Sequence, residues 1–264
     1  MTEIDDMTGQ PTPISTLHKE SPYMIRENGL GGALRHFRST SSTNEEARAW
    51  ARAGAKHGSV VVADFQSAGR GRFDRVWESA SDQNLLLTVV LRLNLPRPAL
   101  LPLAIGVGVL RCLKKLSAPL NVEVKWPNDV LIDSRKCAGI LVESPEDGLF
   151  LVGIGLNVNQ DSFPEHLTGE PTSLLLEAGR RFDRREVYSV LLRELDQVLL
   201  DLPGPEFIGQ YSAHLAGIGT EISISDGKTG MFEGVNEEGA LLLETNHGRE
   251  VYFAGDISLR NHHS

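Results

Sequence analysis

The chain has 264 residues, 41% of them apolar, and its 26 Lys and Arg residues against 35 Asp and Glu residues give a formal net charge of -9. This length and apolar content are enough for a folded core and exclude global disorder. The acidic balance argues against a protein whose main work is binding nucleic acid or an anionic membrane, because both depend on positive charge.

The sequence predicts neither a membrane span nor a targeting segment. The longest nearly apolar stretch, 98–110, has 13 residues, whereas a spanning helix needs roughly 20. The N-terminus carries Glu3, Asp5 and Asp6 without an apolar block, unlike a signal or transit peptide. We therefore expect a cytoplasmic protein in which Cys112 and Cys137 are reduced, buried thiols.

The predicted elements begin after an irregular segment, 1–33, that is rich in Pro and Gly. An S-x-x-E capping box at 42–45 predicts a helix that ends at Gly54. Segments rich in β-branched and aliphatic residues predict buried strands at 59–66 and 84–93. Further helices are expected at 99–116, 185–202 and 206–214.

The middle of the chain predicts strands with hairpin spacing at 122–129, 130–133, 136–143 and 149–159. This pattern favours an α+β fold with a mixed or antiparallel sheet and flanking helices. After Gly217, short strands separated by Gly-containing turns indicate a small all-β barrel. We expect a preface at 1–33, a catalytic domain at 34–215 and a β domain at 216–264.

The segment 66–77, QSAGRGRFDRVW, reverses the local charge, since three arginines and one aspartate give +2. Gly69 and Gly71 allow a ligand to approach the backbone, and arginine side chains match phosphate or carboxylate oxygens. An anion-binding loop and a mobile, solvated surface loop both explain this composition.

Lys136 begins a strand in which simple alternation places it on one face with Ala138 and Ile140, and Gly139 on the other. Both faces are apolar, so this strand is expected to be central, with Lys136 at the rim of a buried surface. An ammonium there needs an anionic partner or must extend to water. Contact with a ligand and simple solvation both remain open.

The strand 149–159 directs Gly153, Gly155 and Asn157 to one side and apolar residues to the other. Glycine inside a strand indicates a close approach by a ligand or backbone, or else a bulge or tight sheet contact. The segment 125–129, KWPND, is a turn signal that also offers groups suited to a nucleotide and its Mg²⁺. The histidines and cysteines show no metal-site spacing.

Four motifs resemble those of biotin protein ligases: SSTNEEA (41–47), QSAGRGRFDRVW (66–77), KWPNDVLIDSRKCAGILVE (125–143) and GIGLNVN (153–159). The closing GDISLR (255–260) is similar to the end of that family's small barrel. The resemblance implies a class II synthetase-like catalytic domain followed by an SH3-like β domain. It also implies that biotin and ATP form biotinyl-5'-adenylate, from which a lysine of a carrier protein takes the biotinyl group.

The resemblance also implies roles for individual residues. Those expected to act in catalysis are Lys136, Arg70 and Arg72. Those expected to bind biotin are Ser42, Thr43, Asn44, Gln66, Arg70, Gly71, Arg72 and Lys136. Those expected to bind ATP or the adenylate are Lys125, Asn128, Asp129 and Asn157. The protein alone is expected to hold no metal; Mg²⁺ is expected to arrive with ATP, with Asp129 as its candidate protein ligand.

The loop departs from the family pattern G-R-G-R-x-G-R-x-W, because Asp74 stands where the pattern has glycine. If that position requires a positive φ, aspartate costs more than glycine, and its charge also repels phosphates. We expect slower or weaker loop closure.

Three alternatives remain beside a biotin ligase. A lipoate or octanoate ligase or transferase of the same superfamily is the nearest, although GRGR and KWPND favour biotin. A biotin-sensing repressor is disfavoured, because the preface has a net charge of -3 and is short for a DNA-binding domain. A catalytically inactive binding module is disfavoured by the presence of Lys136, Arg70 and Arg72.

The expected partner is the biotin carboxyl carrier protein or domain of a biotin-dependent carboxylase, with no nucleic acid and no membrane. Family resemblance allows either a monomer or a homodimer joined through a sheet edge.

Overall fold

The computed structural model describes residues 29–167, 170–202 and 206–259, together with 21, 23, 24, 26 and 204. Most of the predicted preface therefore lies outside the described residues. The described chain forms a seven-stranded and a five-stranded sheet with five α-helices.

The larger sheet is mixed, as the sequence predicts. Its strands are β1 (Ala33–Phe37), β2 (Ser59–Ala63), β3 (Leu85–Arg92), β4 (Val122–Lys125), β5 (Asp129–Ile132), β6 (Arg135–Glu146) and β7 (Leu149–Leu156). They lie in the order β1-β2-β3-β7-β6-β5-β4, in which β1 and β2 are parallel and the other neighbours are antiparallel. The first strand was not predicted from the sequence.

Five α-helices accompany the sheets: α1 (Thr43–Arg52), α2 (Leu100–Leu116), α3 (Leu174–Ala178), α4 (Arg184–Asp201) and α5 (Phe207–Ser212). The predicted helices are confirmed with small shifts at their ends. The short helix α3, of about one and a half turns, was not predicted. Helices α2 and α4 pack together over one face of the large sheet, within the main core. Helix α1 covers β2, β3 and β7 on the opposite face.

Both faces of the central strands are therefore buried, which explains their nearly continuous apolar composition. Every residue of β2 is buried, and so are seven consecutive residues of β3. On the α1 side, Trp50 packs into a cluster that includes Val61 of β2 and Leu151 of β7. Helix α1 covers only part of this face. The part that it leaves uncovered is formed by small residues of β6 and β7.

The five-stranded sheet has the order β11-β10-β9-β8-β12. Its strands are β8 (Glu221–Ile224), β9 (Thr229–Val235), β10 (Leu241–Thr245), β11 (Gly248–Tyr252) and β12 (Ile257–Leu259). It contacts the large sheet through Trp126, whose Nε1 donates a 3.0 Å hydrogen bond to the carbonyl of Gly239. The domain boundaries at 33/34 and 215/216 stay predictions.

None of the helices in the described ranges is long and apolar enough to cross a membrane.

Candidate active site

A cleft that is open to solvent lies beside α1 on the exposed part of the large sheet. It brings together eleven of the twelve site residues predicted from the sequence: Ser42, Thr43, Asn44, Gln66, Arg70, Gly71, Arg72, Asn128, Asp129, Lys136 and Asn157. Lys125, the twelfth, does not line it. Residues from segments far apart in the sequence thus converge on one site.

The N-terminus of α1 forms one end of the cleft, but its cap differs from the predicted capping box. Ser42 occupies the N-cap position without a side-chain capping bond. Gln66 takes that role, since its Oε1 accepts from the backbone N of Thr43 at 2.7 Å and lies 2.9 Å from Thr43 Oγ1. Glu45, the other member of the box, pairs with Arg70 at 2.6 Å instead. The capping-box bonds were therefore predicted wrongly, although the helix start was right.

Below this end, a chain of polar side chains crosses the face of the sheet. Thr88 Oγ1 lies 2.8 Å from Thr43 Oγ1 and 2.6 Å from Asn44 Oδ1. Asn44 Nδ2 donates to Glu143 Oε2 at 2.6 Å. Gly153 leaves room for this arrangement, because a Cβ there would collide with the Asn44 amide. We call Thr43, Thr88, Asn44 and Glu143 the floor chain.

The loop 66–77 is held in a defined conformation. Gly71 N donates to Arg75 O at 2.7 Å, and Trp77 N donates to Gly69 O at 2.9 Å. A Cβ at Gly69 would lie only 2.5 Å from the Trp77 carbonyl, so this close backbone crossing requires glycine. The left-handed backbone of the short 3₁₀ turn falls on Phe73, with φ 53° and ψ 45°, one residue before Asp74.

The arginines of the loop pair with carboxylates on both sides of the cleft. Arg70 lies 2.6 Å from Glu45 and 3.3 Å from Glu143. Arg72 reaches the five-stranded domain, where it donates to the Gly255 carbonyl at 3.0 Å and pairs with Asp256 at 3.2 Å. These contacts place the loop across the cleft and argue against a freely solvated loop.

Lys136 points into the cleft because of a β-bulge. The register shifts so that Val130 pairs with Ala138 but Leu131 pairs with Lys136. Lys136 consequently lies on the same face as Gly139, whose Cβ would come within 3.4 Å of the lysine Cε. The predicted alternation, which put these residues on opposite faces, was wrong, because a bulge adds one residue to the strand.

Two groups contact the Lys136 ammonium. Its Nζ lies 2.7 Å from Asp129 Oδ1 and 5.7 Å from the centre of the Trp77 ring. The ring lies directly over Gly155, where a Cβ would overlap it. The close approach indicated by the strand glycines is therefore made by side chains of the chain itself: Trp77 at Gly155 and Asn44 at Gly153.

The remaining residues that are predicted to bind the nucleotide differ in their hydrogen-bond partners and in their burial. Asn128 Nδ2 donates to Ile140 O at 2.8 Å, and its Oδ1 accepts from Arg72 at 3.3 Å. Asn157 Nδ2 donates to Thr172 O at 2.9 Å, while its buried Oδ1 has no protein partner. Lys125, at the end of β4, does not line the cleft but lies near Asp129 and Lys136, which do; burial lowers its pKa, although Asp129 opposes this.

Three further residues of the cleft region were not singled out from the sequence. Trp77 was visible only as the end of the arginine loop, and Glu143 only as the end of a strand. Asp256 lies in the GDISLR motif, but nothing local indicates that it reaches a cleft in another domain. Its pairing with Arg72 and, at 2.6 Å, with Arg75 is a tertiary contact.

The cleft offers no preformed cage for a metal ion. Across the described ranges, no group of three or more His, Cys, Asp or Glu residues is arranged to hold one. Asp129 is paired with Lys136, and Asp256 with two arginines. This set fits an ion that is bound mainly by substrate phosphates, as Mg²⁺ commonly is.

Comparison with known proteins agrees with this geometry. Residues 36–160 match the Biotin/lipoate A/B protein ligase family, and residues 218–260 match the Biotin protein ligase C terminal domain. The chain is 35% identical over 230 residues to the biotin--[acetyl-CoA-carboxylase] ligase of Mycobacterium tuberculosis, covering 83% of this chain and 85% of that protein. It is 34% identical over 254 residues to the bifunctional ligase/repressor BirA of Bacillus subtilis, covering 91% and 78%.

The fold matches a solved structure, which it covers over nearly the whole length of that structure. The biotin protein ligase from Aquifex aeolicus, solved in complex with biotin and ATP, superposes with a TM-score of 0.77 at 31% identity. The match covers 86% of this chain and 98% of that one. The motifs, the cleft and the relatives together show that the chain belongs to the biotin protein ligase family.

Proposed function

We propose that this protein attaches biotin to a lysine of a biotin carboxyl carrier protein, using ATP and a biotinyl-5'-adenylate intermediate. The observation that carries this proposal is the position of Lys136 in one continuous cleft. On one side lie the polar groups of the α1 end, including Thr43 and Gln66, and on the other lie Arg72 and Asn128. A cation between a polar pocket and a basic loop suits a carboxylate reacting with a phosphate.

In the first step, a carboxylate oxygen of biotin attacks the α-phosphorus of ATP, a P–O bond forms, and pyrophosphate leaves. The step needs no nucleophile from the protein, only positioning and charge stabilisation. The Lys136 ammonium balances the charge shared by the carboxylate and the α-phosphate. Arg70, Gly71 and Arg72 form the loop that contacts biotin and the phosphates, and Ser42, Asn44 and Gln66 contact the biotin rings.

In the second step, the neutral amine of the carrier lysine attacks the acyl carbon of the adenylate. A C–N bond forms, the C–O bond to AMP breaks, and the amine loses a proton to solvent. We assign contact with the adenylate to Asn157, which lines the cleft and whose buried Oδ1 has no protein partner. Lys125 acts on the ATP side of the cleft, where its charge lies near Asp129.

Asp129 would be the protein carboxylate that holds Mg²⁺ delivered with ATP, and the ion would offset the charge of the phosphates. Arg72 and Asn128 orient the phosphates. The carrier belongs to a biotin-dependent carboxylase, in line with the name of the Mycobacterium tuberculosis relative. We assign the reaction to the cytoplasm. The family resemblance allows either a monomer or a homodimer, and the homodimer stays a prediction.

A lipoate or octanoate ligase is the competing function. Radiolabelled ATP–pyrophosphate exchange, run in parallel with biotin, lipoate and octanoate, distinguishes them. We expect exchange with biotin at micromolar to millimolar concentration and none above background with the other acids. Exchange with lipoate or octanoate alone would refute the proposal. Transfer of labelled biotin to a purified carrier domain tests the second step.

A further inference from the structure

We propose that Glu143 is a positioning residue that fixes the direction of the hydrogen bonds in the floor chain. It thereby presents acceptor oxygens to the N–H groups of the biotin ring. The inference rests on the proposed function and deepens it, because it assigns the origin of selectivity to a residue that need not touch the substrate.

The direction of the chain follows from counting protons. An ionised carboxylate can only accept, so the 2.6 Å contact with Glu143 turns the NH₂ of Asn44 toward it. The amide carbonyl of Asn44 therefore faces Thr88, 2.6 Å away, and must accept the hydroxyl proton of Thr88. Glu143 thus removes the ambiguity that an amide side chain otherwise has.

The same count continues to the cleft. A hydroxyl has one proton, so Thr88, which donates to Asn44, can only accept from Thr43 across their 2.8 Å contact. The single hydroxyl proton of Thr43 has two possible acceptors, Thr88 Oγ1 at 2.8 Å and Gln66 Oε1 at 2.9 Å. We assign it to Thr88, because this contact is the shorter one and Gln66 Oε1 already accepts from the Thr43 backbone N–H at 2.7 Å. Two acceptor oxygens meet at the cleft wall, where a ring N–H donor satisfies both.

The surroundings favour a fixed direction. Thr43, Asn44 and Thr88 are all buried, with Thr88 fully inaccessible. Buried polar groups are costly when unpaired, and neighbouring hydrogen bonds strengthen one another. Arg48 lies 3.0 Å from the other oxygen of Glu143, which keeps the carboxylate in place from the side of α1.

The test compares Glu143→Gln, Thr88→Val and Glu143→Asp with wild type. Glutamine keeps the shape but can donate or accept, and valine interrupts the chain while leaving Glu143 intact. We expect each of the first two to raise the KM for biotin about tenfold. Thr88→Val, which leaves the Glu143–Arg70 pair intact, should change kcat and the KM for ATP by less than about threefold. Glu143→Asp should retain part of the biotin affinity, because the carboxylate remains.

A second readout separates positioning from general damage. In the wild type, an analogue whose ring N–H is replaced by oxygen should bind about tenfold or more weakly than biotin, as measured by calorimetry. Both variants should reduce that ratio. Glu194→Gln is the matched control, because it also removes a buried carboxylate, paired with Lys115 at 2.6 Å, but lies away from the cleft. It should alter neither measurement.

The outcomes are distinct. If both variants leave the KM for biotin within twofold of wild type, or if Glu143→Gln alone raises it, the floor chain does not set the polarity and the inference is wrong. An equal rise in the KM for ATP of Thr88→Val would likewise reject it. If wild type itself fails to exchange pyrophosphate with biotin, the proposed function fails, whatever the variants do.

Discussion

The Lys136 ammonium lies 2.7 Å from the Asp129 carboxylate, across the bulged pairing of β5 and β6. The carboxylate supplies the counter-charge that a half-buried lysine needs. The pair therefore sets the position of the residue that we assign to the reacting carboxylate and phosphate.

Lys136→Ala should abolish adenylate formation while leaving the fold intact. The loss of charge-assisted hydrogen bonds to two reacting groups, each about 1.5–3 kcal/mol, predicts a fall of roughly 100-fold or more in pyrophosphate exchange. Circular dichroism should match wild type, because the side chain is not part of the core. Lys136→Arg should not restore the rate, since a planar guanidinium differs in shape from an ammonium. Exchange at more than a tenth of the wild-type rate in the alanine variant would contradict the assignment.

The cap of α1 gives a contrast between two single substitutions. Ser42→Ala should lower the free energy of unfolding by less than about 0.5 kcal/mol, because its hydroxyl makes no capping bond. Gln66→Leu should lower it by about 1 kcal/mol, since Gln66 accepts from Thr43 N. Urea unfolding followed by tryptophan fluorescence measures both. If Ser42→Ala lowered the free energy of unfolding more than Gln66→Leu, the result would support the capping box predicted from the sequence.

Asp256 should control the arginine loop from the five-stranded domain. Asp256→Ala removes the partner of Arg72 and Arg75, so the loop should be cleaved faster by trypsin and the KM for ATP should rise about tenfold. Glu233→Ala is the matched control, because Glu233 also pairs with an arginine of that domain, Arg249, at 2.6 Å. Equal behaviour of the two variants would show that the contact with the loop has no role.

The departure at Asp74 can be divided into charge and backbone contributions. Because the left-handed residue of the turn is Phe73, glycine at 74 is not needed to relieve strain there. We therefore expect Asp74→Asn and Asp74→Gly to lower the KM for ATP by the same few-fold factor, since each removes a negative charge from the loop that we assign to the phosphates. The gain should shrink at high salt. A gain seen only with glycine would indicate a backbone cause.

Acid stability should depend on Asp64. Burial raises the pKa of this carboxyl, but hydrogen bonds and charges from His36, at 2.9 Å, and Arg184, at 3.0 Å, more than offset this and lower it below 3.8. The unfolded chain then binds the proton more readily. The stabilising contribution is complete above about pH 5 and is lost as the pH falls through the folded-state pKa. Asp64→Asn should be less stable than wild type at pH 7 and lose less stability between pH 5 and 3, as followed by thermal unfolding. Parallel pH profiles would exclude this role.

The sequence by itself determined the composition of the core, the order of most elements and the segments that carry the chemistry. Periodicity identified the central strands and long helices because burial on both faces leaves a nearly continuous apolar run. The arginine loop was recognisable from its local reversal of charge. The short β1 and α3 were missed, since their patterns are too brief to stand out from the surrounding turns.

Only the tertiary structure decided how those segments meet. The bulge that brings Lys136 to the face of Gly139 depends on pairing with β5, not on local alternation. The cap supplied by Gln66, and the contacts of Glu143 and Asp256 with the arginine loop, join residues far apart in the sequence. These partners come close to one another only in the folded chain, and local sequence patterns carry no information about their distance.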